Sequence, residues 1–166
     1  MKSLYFIRHA KSSWDTPQLR DHDRPLNKRG HNDALYMSKM LKEKGIKPDK
    51  FISSSAKRAL STAQYFASAF GVSHDAIDVE EDIYEAFPDD ILDIIHNIPD
   101  QFQTVLVFGH NPTFTSMANF FSEDFIANVP TCGIVKVDVF TSKWRDVNES
   151  NAQLADFYYP KQFNII

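Results

Sequence analysis

Short apolar runs alternate along this chain with stretches in which apolar side chains recur every three or four positions. The first run, Ser3-Leu4-Tyr5-Phe6-Ile7, predicts a buried strand over 3–8, ending on Arg8. A polar loop with Asp15, Pro17, Asp21, Asp23 and Pro25 follows. Asn27 is placed to cap a helix running to about Lys44, with Ala34, Met37 and Leu41 on one face, and Gly45 and Pro48 stop it. Residues 50–53 read as a second strand. Ser55 is placed to cap a helix over about 56–70, where Ala59, Ala63, Phe66, Ala67 and Phe70 share a face and Gly71 ends the pattern. Residues 77–84 are extended and acidic, and 88–98 carry the apolar spacing of a short helix. Residues 104–108 form the clearest buried strand. Asn111 and Pro112 then supply a cap and first turn for a helix over about 112–122. Near the end, GIVKVDVF and AQLADFYY alternate with period two and predict two antiparallel strands at one sheet edge.

Helical and strand patterns thus alternate from end to end, which predicts an α/β layered fold. No stretch reads as a linker, so one domain spanning 1–166 is expected. A chain of this size buries about 68–70% of its unfolded surface and needs no staples. The net charge of −4 argues against a nucleic-acid partner, which requires a basic face. The single Cys132 allows no internal disulfide and fits a reducing compartment. Only about five apolar residues precede Arg8, too few for a signal-peptide core or a membrane span. The expectation is a soluble cytoplasmic protein.

Three junctions share one design. Arg8 and His9 follow the first strand; Ser55-Ala56-Lys57-Arg58 follows the second and opens a helix; Gly109-His110-Asn111-Pro112 follows the strand 104–108 and opens another. In parallel α/β sheets ligands bind outside the carboxyl ends of the strands. Arg8, His9, Arg58 and His110 are therefore expected to converge, with helix N-termini adding backbone donors. Two guanidinium forks and two imidazoles suit a phosphoryl group. No HExxH, CxxC or carboxylate cluster at ligand spacing appears, so no metal or other cofactor is expected, and Asp15, Asp21 and Asp23 read as turn residues.

The stretches FIRHAKSSW, DHDRPLNKRG, SSSAKRALSTA and VFGHNPTF together resemble the histidine phosphatase superfamily, and within it the small branch of SixA-type phosphohistidine phosphatases. Ala10 stands where the usual Arg-His-Gly signature has glycine, a variant typical of that branch. The resemblance implies a three-layer α/β/α fold with a mostly parallel central sheet and antiparallel edge strands, of the phosphoglycerate mutase-like kind. It implies that His9 is the nucleophile, that Arg8, Arg58 and His110 hold the phosphoryl oxygens, and that Lys11, Ser12 and Asn111 line the phosphate pocket. Larger members protonate the leaving group with an acid. Here Glu85 is the best-placed residue, with Glu81 and Asp82 behind it. Arg24 is expected to hold its loop through Asp23. His22, His31, His74 and His96 match no motif.

The implied activity is hydrolysis of protein phosphohistidine through a phosphohistidine intermediate. The short loops between the motifs favour an open site that admits a side chain presented on another protein, such as a histidine-phosphotransfer domain. Two other functions remain open from the residues: a small-molecule phosphomonoesterase, in which Glu85 would matter strongly, and a non-catalytic phosphate-binding adaptor, which has no need of His9 as nucleophile.

Overall fold

A computed structural model of the chain describes residues 1–163; the last three positions of the expected 1–166 unit lie outside the described residues. Six strands form one sheet: β1 (Lys2–Arg8), β2 (Lys50–Ser54), β3 (Ile77–Glu80), β4 (Thr104–Gly109), β5 (Ile134–Val139) and β6 (Ala152–Tyr158). Their order is β3-β2-β4-β1-β5-β6. The first four run parallel, while β5 is antiparallel to β1 and to β6. This is the mostly parallel sheet that the family resemblance implies, with the antiparallel edge strands that the alternating tail predicts.

Alternation along the strands divides the core into two halves. On one face, Leu4 and Phe6 of β1 and Val105 and Val107 of β4 pack with α3 (Pro88–His96) and α4 (Thr113–Phe120), through Ile91, Ile95, Phe114 and Met117. On the other, Tyr5, Ile7, Leu106 and Phe108 pack with α1 (Lys28–Glu43) and α2 (Lys57–Ala69), through Met37, Leu41, Ala63 and Phe66. Each large side chain buried in this way contributes roughly 1.5–3 kcal/mol. Both faces of β1 and β4 are covered, which explains why their sequences are apolar without interruption. The result is the expected three-layer arrangement. Among the described residues, no helix is long and apolar enough to cross a membrane.

Local chemistry sets the element ends. Asn27 caps α1, its Oδ1 accepting the Gly30 N–H at 2.8 Å. Gly45, at φ +81°, ends that helix in the left-handed region that glycine adopts without steric cost. Ser55 does not cap α2. Ala56 occupies the cap position, and the Ser54 hydroxyl accepts the Ala56 N–H instead, at 3.1 Å. The expected extension over 77–84 stops at Glu80, and a single 3-10 turn over 81–83 redirects the chain. Phe125 is exposed, although the cluster of Phe120, Phe121 and Phe125 in sequence reads as core.

Gly30 is set by tertiary contact. A Cβ there would lie 2.0 Å from the carbonyl oxygen of Lys11. The loop after His9 therefore lies directly on the first turn of α1. Backbone hydrogen bonds from Ser13 to Pro25 (2.8 Å) and from Asn27 to Lys11 (3.0 Å) close its base.

Candidate active site

The carboxyl ends of β1, β4 and β2 are adjacent, because Arg8 is in register with Gly109 and Ser53 with Phe108. The His9 N–H continues the ladder to the Gly109 carbonyl at 3.0 Å. The structure thus brings together Arg8, His9, Arg58 and His110 as the junctions predict. The His9 and His110 rings are 5.3 Å apart between centroids. Gly109 lets Phe114 and Ile83 pack against the end of β4: a Cβ there would sit 2.5 Å from the Phe114 ring and 2.8 Å from the Ile83 side chain.

The hydrogen bonds set the protons of the two imidazoles. His9 Nδ1 lies 2.7 Å from the Ala10 carbonyl oxygen, which only accepts. The proton is therefore on Nδ1, and the neutral ring presents the Nε2 lone pair. Ala10 is in turn fixed from α2, its N–H donating to Thr62 Oγ1 at 3.0 Å. His110 Nε2 is 2.7 Å from Ser54 Oγ. That hydroxyl is buried, accepts from the Ala56 N–H and has no other acceptor for its own proton among the described residues, so it donates to His110 Nε2. Neutral His110 then carries its proton on Nδ1.

Three buried donors, Arg8 Nε, Arg58 Nε and His110 Nδ1, have no acceptor among the described residues. A buried unpaired donor costs about 1–3 kcal/mol, and three such donors together are suited to an anion. Arg8 is anchored by Nη1 donating to the Val129 carbonyl at 3.0 Å. Arg58 is anchored twice by Asp21: Nη1 donates to its carbonyl at 2.7 Å and Nη2 to Oδ2 at 3.0 Å. A cavity of about 500 Å³ opens beside Arg58 and His110, which line it with Asp21, Tyr84 and Glu85 among others; Arg8 and His9 are not among its lining residues.

The remaining expected residues lie at different distances from this centre. Glu85 is exposed at the cavity wall, with φ +57°, in a backbone region that side chains other than glycine adopt at some cost. Lys11 is exposed. The Ser12 hydroxyl is buried and accepts from Arg24 Nη1 at 2.8 Å. The Asn111 amide is fully engaged: its nitrogen donates to Asn128 Oδ1 and to the Val129 carbonyl, and its oxygen accepts from the N–H and hydroxyl of Thr115. Asn111 thus ties α4 to the segment that anchors Arg8. Arg24 pairs with Asp21 at 3.1 Å rather than with Asp23, which is held by Arg20. His22, matched to no motif, accepts or donates to Ser55 Oγ at 2.8 Å and meets the Tyr84 ring edge-on. Among the described residues, no group of three or more His, Cys, Asp or Glu side chains is placed to hold a metal ion.

Asp21 is one of three contributing residues that sequence reading does not single out. It was indistinguishable from the other turn carboxylates of its loop, although it lies within the quoted stretch DHDRPLNKRG. Ser54 and Tyr84 carried no signal either, since each acts through contacts with residues remote in the chain.

Burial, reinforced by the charges of Arg58, Arg8 and Arg24, lowers the pKa of His9 from its ordinary 6.5 to about 4, although the Ala10 carbonyl favours the protonated ring. Burial, then the proximity of His9 and Arg58, brings His110 down to about 3. Both rings are neutral at pH 7. Between about pH 6.5 and pH 4 the unfolded chain binds protons that the folded chain refuses. Stability is therefore full above 6.5 and falls as the medium becomes acidic, by about 3 kcal/mol from His9 alone. Denaturant midpoints at pH 7.5, 5.5 and 4.5 measure this. The slope should be shallower in His9→Gln, and a native midpoint that does not move across the range would contradict a buried neutral imidazole.

Comparison with known proteins gives the following. A family model described as "Histidine phosphatase superfamily (branch 1)" matches residues 4–91, a span that includes Arg8, His9, Arg58 and Glu85. An uncharacterised protein of Mycobacterium tuberculosis is 30% identical over 169 residues, covering 93% of this chain and 100% of its own length. The crystal structure of SixA from Agrobacterium tumefaciens, described there as a candidate phosphohistidine phosphatase, superposes with a TM-score of 0.79 at 28% identity, over 96% of this chain and 98% of that one. A protein histidine phosphatase SixA complexed with tungstate shares the fold, with a TM-score of 0.82 at 17% identity over 97% of this chain and 99% of that one.

Proposed function

The chain belongs to the histidine phosphatase superfamily, and from that premise we propose that it is a phosphatase for protein phosphohistidine, working through a phosphate carried on His9 and without a metal ion. The observation that carries this reading is the His9–Ala10 hydrogen bond, which leaves Nε2 unprotonated in the midst of three unpaired buried donors.

The first step is in-line attack of His9 Nε2 on phosphorus. An Nε2–P bond forms and the bond from phosphorus to the leaving group breaks. Arg8, Arg58 and His110 Nδ1 donate to the equatorial oxygens, where charge accumulates in the transition state. In the second step water attacks the phosphohistidine, the P–Nε2 bond breaks, inorganic phosphate leaves and His9 returns to its neutral state. The proton released by water passes to phosphate or solvent. Of the residues expected to line the phosphate pocket, Ser12 and Asn111 commit their side chains to holding the surrounding loops, while the exposed Lys11 is left to meet phosphate.

The substrate follows from the leaving group. A phosphohistidine ring accepts a proton on its second nitrogen, with an ordinary imidazole pKa of about 6.5, and departs as neutral imidazole without help. An alkoxide from a phosphate ester needs a general acid. Glu85 is exposed and hydrogen-bonded to nothing among the described side chains, which supports N–P over O–P cleavage. The presence of Glu85 on the same cavity wall as Arg58 and His110 supports the second reading, a phosphomonoesterase with Glu85 as acid. The partner in the leading reading is a phosphorylated histidine-containing protein, such as a phosphotransfer domain. A cytoplasmic setting is supported by the lone, fully buried Cys132.

The test is a competition of substrates. Release of label from a phosphohistidine-bearing phosphotransfer protein should exceed turnover of sugar phosphates by more than an order of magnitude, and Glu85→Gln should leave it unchanged. Efficient ester hydrolysis that collapses in Glu85→Gln, with no action on phosphohistidine, would instead establish the second reading.

A further inference from the structure

Among the described residues, Asp21 is the only carboxylate that touches the phosphoryl clamp, and its contacts reach three separate parts of the chain. Within its own loop Oδ1 accepts from Arg24 Nε at 3.1 Å. From α2 it receives the two Arg58 donors already described, one on the carbonyl and one on Oδ2. From the turn after β3 the Tyr84 hydroxyl donates to the same Oδ2 at 2.6 Å. Arg24 is itself buttressed by stacking 3.5 Å from the Trp14 ring and by donating to Ser12 Oγ. The Asp21 side chain is half exposed, whereas that of Arg58 is 8% exposed. Asp21 therefore contributes little to the apolar core; its contacts are all polar.

We propose that Asp21 is a positioning residue for phosphoryl transfer, which fixes the Arg58 guanidinium through one N–H of each Nη group and so sets the direction of the unpaired Nε–H, with Tyr84 holding the carboxylate in register. The inference rests on the phosphatase reading of the site. Its physical logic is that a carboxylate beside a phosphate site weakens the ground-state attraction for an anion. An arrangement built for affinity alone would omit it. Held against Arg58, it restricts a long side chain to one orientation, and orientation acts on the transition state more than on binding. The proton states agree. Partial burial works against the Asp21 charge, but the Tyr84 hydrogen bond and Arg58 outweigh it and bring the carboxyl to about 2. Burial, then the Asp21 hydrogen bond, pushes Tyr84 up to about 12, so it stays a donor.

The experiment compares the native protein with Asp21→Asn and Tyr84→Phe. Asp21→Asn should lower kcat by about 100-fold, while inorganic phosphate binds it as tightly as the native protein or more tightly. Tyr84→Phe, which keeps the charge, should lower kcat by about tenfold with phosphate affinity unchanged; it also serves if the Asn variant fails to fold. A nitrogen-15 spectrum of the Arg58 Nε–H reads the positioning itself: a resolved signal that shifts on phosphate addition in the native protein, lost to exchange in Asp21→Asn. A kcat within threefold of native, a parallel loss of kcat and phosphate affinity, or an unaltered Arg58 signal overturns the proposal. Native protein that acts on esters but not on phosphohistidine overturns the substrate reading alone, and the same variants are then judged on the ester. Native protein that turns over neither overturns the phosphatase reading and the catalytic half of this one together, the Arg58 signal then reporting only whether Asp21 holds the guanidinium.

Discussion

His9→Ala is expected to abolish turnover and the acid-labile phosphoenzyme together, with a loss of at least ~10⁴-fold in kcat. The nucleophile cannot be replaced from its surroundings. His110, whose ring centroid lies 5.3 Å from that of His9, commits Nε2 to the Ser54 hydroxyl and carries its proton on Nδ1, so it has no lone pair to offer. Phosphate binding should survive in the variant, because Arg8 remains anchored on Val129 and Arg58 on Asp21. The measurement is transient label on the enzyme after mixing with phosphorylated substrate, together with phosphate affinity. Label retained on the His9→Ala variant would place the nucleophile elsewhere, and loss of phosphate affinity would show that His9 binds rather than attacks. Removing a buried imidazole should also make the fold more tolerant of acid, which separates loss of chemistry from loss of structure.

Arg58→Ala is expected to cost about 10³-fold in kcat/KM, equivalent to about 4 kcal/mol of transition-state stabilisation. It removes a donor to the developing charge and leaves Asp21 beside the phosphate with its charge uncompensated. Arg58→Lys should rescue poorly, because an ammonium cannot bind the Asp21 carbonyl and carboxylate as a fork while also presenting a third, fixed donor. The two variants are compared by steady-state kinetics at saturating and limiting substrate. A lysine variant with near-native activity would reduce Arg58 to a simple point charge and remove the geometric reason for Asp21.

Much of this site was legible from sequence because its principal residues sit immediately beyond strands that are apolar on both faces. Arg8 and His9 end β1, and Gly109 and His110 end β4. Arg58 is the second residue of α2, four positions after β2. Strand ends can be read from local hydrophobicity, and parallel strands bring their carboxyl ends to one side of the sheet. Ser55 was misread for the converse reason. A serine before a helix is a plausible cap on propensity alone, but Ser54 reaches the Ala56 N–H, and Ser55 is drawn to His22. The roles of Asp21 and Arg24 escaped because a turn-rich loop with three aspartates offers no local reason to choose one.

The sequence by itself determined the order of elements, the buried strands and helix faces, and the set of four cationic or imidazole side chains at the strand-to-helix junctions, since all are properties of short windows of residues. Tertiary structure alone decided how those groups are held. The contacts from Asp21 to Arg58 span 37 positions, from Tyr84 to Asp21 span 63, and from Arg8 to Val129 span 121. Proton placement on His9 and His110 was likewise fixed only by which oxygen lies within hydrogen-bond reach. Hydrophobic periodicity encodes which face of an element is buried. A hydrogen bond between remote side chains depends on distance and angle after the layers have packed, and no local pattern carries that information.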